Sequence, residues 1–497
     1  MNAFEFIFER AESGRTAVLC DEARITYGEL IESATGAGSL LKTAGLEPGD
    51  HVAIFSDNSV FWIEAYLGVL YASGVVAPLP PRIMAIQIPS LLKWLECEFI
   101  FVEKKYADQL SSLEAGGFAF VEDPLRLGYV SRIGAIRKSP ARDLPLLGSK
   151  DHMASLMLTS GSTSEPRAVQ VSHRNIVSNT KSIVEALHLT ADHRMLCVMP
   201  FSYCFSTSLL HTHLRVGGSL AIYSGTFAPG RALNVLSSLE CSSLAGIPSV
   251  FQVLSRTGSF GAHPTPSLRY IQQAGGRLAP MYVQALQEAI PQAKIYLMYG
   301  QTEATARLTV LPANRLSDKI DSVGVAVPGV ELSVLKEDGT QAIERETGEI
   351  VARGDNVTVG YWRDEVATRA RFRGNALHTG DMGFRDEEGY FYIVDREEDF
   401  IKAAGHRFSA QRVENCIQAL PGVLEVAVVG VPHRTLGEAS KAYIVLKPGT
   451  QLTQSTVMRC CRKDLPHYMA PRQIVIVAEL PKNSAGKVLK SALRRLE

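Results

Sequence analysis

Six small residues in an unbroken row, Thr159, Ser160, Gly161, Ser162, Thr163 and Ser164, stand behind the apolar triplet Leu156-Met157-Leu158 and ahead of Pro166 and Arg167. Small side chains let backbone N–H groups approach an anion closely, and hydroxyls add donors, so a turn of this kind leaving a strand can wrap a phosphate. The same composition also marks an ordinary solvated turn. It is not a Walker loop, because the chain's Gly-Lys pair, Gly486-Lys487, is followed by Val488 and lies near the C-terminus. Further along, "YGQTEAT" (299–305) follows an apolar run and sets Glu303, a hard oxygen ligand suited to a divalent cation, beside the hydroxyl of Thr302. Asp381 in "TGDMG" is a carboxylate that could accept a pair of hydroxyls, or a plain turn residue. Lys487, by its setting alone, is a surface lysine.

These residues need elements to hold them. Short β-branched or apolar runs, "HVAIFS", "FIFVE", "GSLAIY" and "KIYLMYG", alternate with helical patterns such as 27–44 and 279–289. That alternation predicts parallel sheets with helices on both faces. The uncharged run 65–80, "AYLGVLYASGVVAPLP", is too short to span a bilayer and is broken by Gly68, Gly74 and Pro78, so it reads as a buried helix running into a strand. From about 305 to 395, short strands with turns at "EDGT", "TGE" and "DEEGY" predict a β-rich subdomain. The charged stretch "VDREEDFIK" (394–402) then precedes a last segment with apolar runs of its own, and a domain boundary is expected there.

Composition excludes some classes of function. The 497 residues are 46% hydrophobic and 21% charged, enough for two to four folding units at about 100 to 200 residues each. Lys plus Arg balances Asp plus Glu at 51 each, which removes the broad positive field of a nucleic-acid binder. The cysteines at 20, 97, 197, 204, 241, 416, 460 and 461 form no C-x-x-C, so reduced thiols in a cytoplasmic protein are expected. The first fifteen residues carry three Glu and two Arg and do not read as a secretion signal.

Taken in order, "LTSGSTSEPRAV", "YGQTEAT", "GEIVARGDNVTVGYW", "LHTGDMGFRDEEGYFYIVDREEDFIKAAGHRFS" and "LPKNSAGKVLK" resemble the adenylate-forming superfamily of acyl-CoA synthetases, peptide-synthetase adenylation domains and luciferases. The match runs over essentially the whole chain. It implies an α/β protein: a large N-terminal domain (1–395) of two helix-flanked sheets plus a β-rich subdomain, a hinge at 395–399, and a small mobile α+β C-terminal domain (396–497). The implied chemistry has two halves: a carboxylate and ATP give acyl-AMP and pyrophosphate, and a pantetheine thiol then takes the acyl group. That reaction calls for ATP and Mg²⁺, with coenzyme A or the phosphopantetheine of a separate carrier protein as acceptor. No nucleic acid and no membrane span are expected.

The resemblance also implies roles. Thr159 to Thr163 would cradle the β- and γ-phosphates, although Ser164, Arg167 and Ala168 stand where the family has Gly, Lys and Gly. Gly275, Gly276 and Arg277 in "AGGRL" would lie along adenine, Tyr299 would stack on it, and Gly300 and Gln301 would complete that wall. Thr302 would touch phosphate, Glu303 would hold Mg²⁺, and Asp381 and Arg396 would take the ribose. Lys487 would bridge carboxylate and α-phosphate during adenylation. Glu398 marks the hinge, and Lys402 and Gly405 lie toward the path of the pantetheine arm. Substrate choice would come from "PFSYCFSTSLLH", with Tyr203 and Cys204, and from "AGIPSV" with Gly246, together with Gly324. Adenylation domains for α-amino acids commonly place an Asp in the first stretch, but residues 199–208 hold no acid, and an unpaired buried ammonium is costly. An acid without an α-amine is therefore expected, against the alternative of an amino- or imino-acid adenylation enzyme that loads a carrier. Arg307 is expected to pair with a nearby acid rather than with substrate. A catalytically silent nucleotide- or acyl-binding relative would have lost Lys487, Glu303 or Asp381, and all three are present. A luciferase-like oxygenase shares every motif.

Overall fold

The computed structural model describes residues 2–20, 23–81, 83, 85–106, 118–122, 128–133, 151–159, 167–256, 259–396, 399–403, 406–482 and 488–495. Among these, the strands form four sheets. In the largest, six parallel strands run in the spatial order Lys294–Tyr299, Tyr270–Gln273, Ser243–Gly246, Arg194–Cys197, Ser219–Ile222 and Thr16–Cys20, with antiparallel strands at both edges. A second sheet has His51–Phe55, Val75–Pro78, Cys97–Glu103 and Met153–Thr159 in parallel, and Arg167–Ser172 turns back antiparallel beside the last of these. The third, wholly antiparallel, is built from Val330–Leu335, Gly348–Gly354, Phe372–Arg373, Ala376–Arg385 and Phe391–Arg396. The fourth comprises Phe400–Ala403, His406–Ser409, Val423–His433, Gly437–Leu446 and Gln473–Ile476. It packs around its own apolar clusters, centred on Ile401, Val428 and Ile444 and on Val429 and Tyr443. The chain thus has an α/β architecture with a large multi-sheet N-terminal part and a small C-terminal one.

Local chemistry accounts for the helices between the strands. Helix Tyr27–Thr43 starts at Thr26, whose side chain accepts from Glu29 N while Glu29 returns a bond to the Thr26 backbone. This reciprocal cap satisfies two donors that the first turn leaves open. Tyr27, Leu30, Ala34, Ala37 and Leu41 then recur at three- and four-residue steps on the buried face. Helix Val60–Tyr71 is buried along almost its whole length and leads directly to strand Val75–Pro78. No helix among the described residues is long and apolar enough to cross a membrane.

Five of the parallel strands deliver their carboxyl ends to one place. Thr159, Met199, Ile247, Ala274 and Gly300, each at or just beyond a strand end, line a single cavity of about 950 Å³. Open α/β sheets receive ligands at this edge because the loops that leave the strands there can be shaped freely. The C-terminal part closes the other side with Gln411, Gln418, Glu425, Lys482 and Lys490.

Candidate active site

Thr302 and Glu303 begin a single turn of 3-10 helix directly after strand Lys294–Tyr299. The turn is tight: Thr305 and Ala306 both have positive φ, at 63° and 152°, and a Cβ on Gly300 would come within 1.8 Å of the Ala306 carbonyl. Only glycine fits at that position. Backbone strain of this kind persists where surrounding structure over-determines it. Here the Thr305 hydroxyl donates to Asn356 O at 2.7 Å, and Asn356 Nδ2 donates to Arg307 O at 3.1 Å.

The Glu303 carboxylate lines the cavity, with Oε1 accepting the Tyr361 hydroxyl at 2.7 Å. Oε2 has no protein partner among the described residues. Burial, then the Glu303 charge, pushes the Tyr361 phenol well above its usual range, so it stays protonated and donates. Arg371 stands near both: burial opposes its charge, but Tyr361, Glu303 and Asp381 outweigh that and hold its pKa above the ordinary value. Thr302 Oγ1 lies 3.3 Å from Cys204 Sγ.

A second grouping lies beside this one. The Tyr299 hydroxyl donates to Asp381 Oδ2 at 2.6 Å, and Arg396 Nε sits 3.4 Å from Asp381 Oδ1. Burial first and the Asp381 charge second raise the Tyr299 phenol well above its usual pKa. Arg396, Thr379 and Gly380 line the cavity with Gly300 and Gln301; Tyr299 and Asp381 themselves are tucked beside that wall rather than in it. Gly275, Gly276 and Arg277 do line it. Arg277 pairs with Asp321 and donates to Asn415 Oδ1 at 2.9 Å, a link from the large part of the chain to the small one.

Flanking the hydroxyl-rich stretch, Thr159 and Arg167 are paired across the antiparallel strands and both line the cavity. Ser160, Gly161, Ser162 and Thr163, which they bracket, lie outside the described residues. Arg167 donates from Nε to Asp364 Oδ2 at 3.2 Å, and its guanidinium carbon is 5.4 Å from the Tyr361 ring centroid. Lys487, Glu398 and Gly405 also lie outside the described residues. Lys482 and Val488, on either side of the Lys487 segment, pair in an isolated bridge and both line the cavity.

Several expectations change. Tyr203 and Cys204 line the cavity, but Gly246 and Gly324 do not. Gly246 ends its strand one residue before the lining Ile247, and a Cβ on Gly324 would meet the Val310 carbonyl at 2.1 Å, so that glycine serves backbone packing. Lys402 is exposed on strand Phe400–Ala403, away from the cavity, with its backbone N–H bonded to Glu438 Oε2. Arg307 has no acid partner among the described residues. It lines the cavity, is 1% exposed, and rests against Phe205 and Met298.

Other functional candidates went unseen. Tyr361 closes the stretch "GEIVARGDNVTVGYW" with Trp362, and nothing in it hints at the bond to Glu303, 58 positions away. Arg371 and Asp364 belong to the helix Glu365–Arg371 and its cap, where charges read as solvated. Lys482 and Lys490 share the last motif with Lys487, and they pair with Glu425 and Glu414, each at 2.8 Å.

Two groupings of carboxylate, phenol and guanidinium around one cavity at the strand ends can hold a polyanion, a cation and a polyol together. Comparisons with known proteins point the same way. The chain is 28% identical to a methyl-dioxo-octahydroindenyl-propanoyl:CoA ligase from Rhodococcus jostii, over 96% of this chain and 95% of that one. It is also 28% identical to a feruloyl-CoA synthase from Amycolatopsis, over 97% and 95%. The crystal structure of ATP-bound MatB from Rhodopseudomonas palustris superposes with a TM-score of 0.88 at 27% identity, covering 99% of this chain and 98% of that one. The model of the AMP-binding enzyme family matches residues 7–362 and that of its C-terminal domain residues 412–487, and the chain belongs to this family of AMP-binding enzymes.

Proposed function

We propose that the protein joins a carboxylic acid lacking an α-amine to coenzyme A, through an acyl-adenylate made from ATP with release of pyrophosphate. The observation that carries this reading is the convergence of Thr302, Glu303, Tyr361 and Arg396 on one cavity at the strand ends, with Asp381 paired to Arg396 beside the wall. The names of the relatives, acid–CoA ligases of full matching length, support it.

In-line attack of a carboxylate on phosphorus needs positioning and charge neutralisation rather than a covalent residue. Arg167, held by Asp364, would meet phosphate oxygens beside the Thr159–Thr163 stretch, and its planar fork suits them. Arg396 and Asp381 would take the ribose hydroxyls. Tyr299, fixed by its bond to Asp381, would present its ring to adenine beside Gly275 and Gly276. Glu303 fits a divalent cation, since Tyr361 occupies one carboxylate oxygen and leaves the other available at the cavity. Mg²⁺ bound there would neutralise phosphate charge. The acyl end falls to Tyr203, Cys204 and Phe205, a stretch with no acid to meet an ammonium. Lys487 would serve adenylation and Gly405 the thiol step, with a hinge at 395–399 between the residues 1–395 and 396–497.

A panel of acids in ATP–pyrophosphate exchange tests the reading, followed by coenzyme A against a holo carrier protein as acceptor. Non-amino acids should exchange fastest and coenzyme A should capture the acyl group; a clear preference for an amino or imino acid, or for the carrier, sinks the corresponding half. Lys487→Ala should slow exchange by about 10²-fold, the worth of one preorganised charge, yet leave transfer from supplied acyl-AMP nearly intact. Gly405→Leu should do the reverse.

A further inference from the structure

Resting on the ligase reading, we infer that the acid activated here carries a second carboxylate, and that Arg307 receives it at the acyl end of the cavity. The position of Arg307 is closely fixed. The two strained residues before it, Thr305 and Ala306, and two side-chain amides on its carbonyl, from Asn179 and Asn356 at 3.1 Å each, leave its main chain little freedom. Its side chain is 1% exposed and lines the cavity. Nε donates to Met298 Sδ at 3.2 Å, the guanidinium carbon stands 4.3 Å from the Phe205 ring centroid, and Nη2 has no partner among the described residues.

Other arginines of the same cavity wall have acids: Arg167 has Asp364, Arg277 has Asp321 and Arg396 has Asp381. Arg307 has none among the described residues. Among those residues its one titratable neighbour is the Cys204 thiol, which burial keeps neutral. Burial lowers the guanidinium itself only to about 10, so it remains a cation at neutral pH. A buried, uncompensated charge is expensive, and proteins retain one where a ligand supplies the counter-charge.

The missing counter-charge belongs to the acid rather than to ATP. Arg307 stacks on Phe205, next to Tyr203 and Cys204, whereas the phosphate-side residues Thr159 and Arg167 come from the other sheet. A keto or hydroxyl group would fill a hydrogen bond yet leave the charge uncompensated; a carboxylate does both and matches the planar fork. Ser206 Oγ and Gln301 Nε2, also unpartnered among the described residues and also from cavity-lining residues, are further groups that a polar acyl end could satisfy.

The test uses short α,ω-dicarboxylic acids and carboxy-substituted aromatic acids, each beside its monomethyl ester. Two readouts are taken: kcat/KM in pyrophosphate exchange, and the rise in melting temperature on adding the acid, which needs no turnover. The wild type should prefer diacid over monoester by about 10²-fold, and Arg307→Met should lose about that factor for the diacid while sparing the ester, as expected when one partner of a buried charge pair is removed. Arg307→Lys, which keeps the charge without the fork, should fall between. A melting-temperature rise with ATP shows that each variant is folded; if Arg307→Met lacks it, the wild-type ratio and Arg307→Lys decide. Diacid stabilisation of the wild type that Arg307→Met abolishes, without exchange of any acid, upholds the anion site and overturns the ligase reading. Equal use of diacid and ester by the wild type, equal loss of both in the variant as a structural arginine would give, or no response to any diacid, overturns the inference.

Discussion

Glu303 shows how much of a site one residue can and cannot reveal. Its place after an apolar strand and beside Thr302 is written in seven consecutive letters, because a strand end is where an open sheet exposes a ligand. Its orientation is not, because that depends on Tyr361, which lies 58 positions on, in the segment before helix Glu365–Arg371. The same holds for Arg307: a sequence shows an arginine, but the absence of an acid is a property of the packed neighbourhood. If Tyr361 sets the free Glu303 oxygen toward a cation, then Glu303→Gln should cut pyrophosphate exchange by roughly 10²- to 10³-fold, as for removal of one electrostatic group from a preorganised site. Tyr361→Phe should cost less, roughly 10- to 100-fold, and should raise the Mg²⁺ concentration needed for half-maximal exchange, as loss of an outer-shell partner does. A Tyr361→Phe enzyme with unchanged Mg²⁺ dependence would show that the phenol only fills space.

Elements carry the next level of information, and most of them were readable. The helix expected over 27–44 is found as Tyr27–Thr43, because its cap and its apolar spacing are both local. The strands "HVAIFS", "FIFVE" and "KIYLMYG" appear in place for the same reason. Glycines were harder. Gly246 and Gly324 looked like pocket walls, yet their space is taken by Val250 and by the Val310 backbone, contacts that cross the chain. Gly300 makes the point testable. An added methyl would meet the Ala306 carbonyl, a backbone atom of the strained turn that carries Thr302 and Glu303, whereas at Gly276 it would meet only the Pro248 ring at 3.3 Å. Gly300→Ala should therefore destabilise the protein by about 1–3 kcal/mol in urea unfolding, the usual range for overpacking, and should also lower exchange beyond what the stability loss explains. Gly276→Ala should stay nearer the wild type in stability. If the two variants melt alike, the turn is softer than its geometry implies.

At the scale of the whole molecule, the first helix, Ala3–Phe8, the helix His173–Ala186 and the helix Cys204–Arg215 share the apolar centre of the large part, and they bury three histidines there. Ala3 N donates to His173 Nδ1 at 3.1 Å, so that nitrogen must be unprotonated, and the ring also sits at a helix N-terminus, where positive charge is disfavoured. His211 Nε2 lies 2.9 Å from the Tyr66 hydroxyl, and His213 Nδ1 lies 2.9 Å from Leu209 O with Nε2 unpartnered. Burial lowers His211 to about 3 and is the leading cause that takes His173 and His213 to about 4. Each folded-state value lies below the unfolded value, so the unfolded chain binds more protons in acid. The stability these rings contribute is intact above about pH 6.5 and is lost as pH falls, until the folded rings themselves titrate near 3 to 4. By linkage, each costs about 2 kcal/mol at pH 5 relative to neutral, or roughly 6 kcal/mol together, against a typical total of about 5–15 kcal/mol. Urea unfolding should accordingly show a steep fall in stability between pH 7 and pH 5, before most carboxylates titrate. His211→Gln, which can still meet the Tyr66 hydroxyl, should reduce that fall by about 2 kcal/mol, since its proton uptake is removed; an unchanged slope would mean that His211 is not neutral in the folded core.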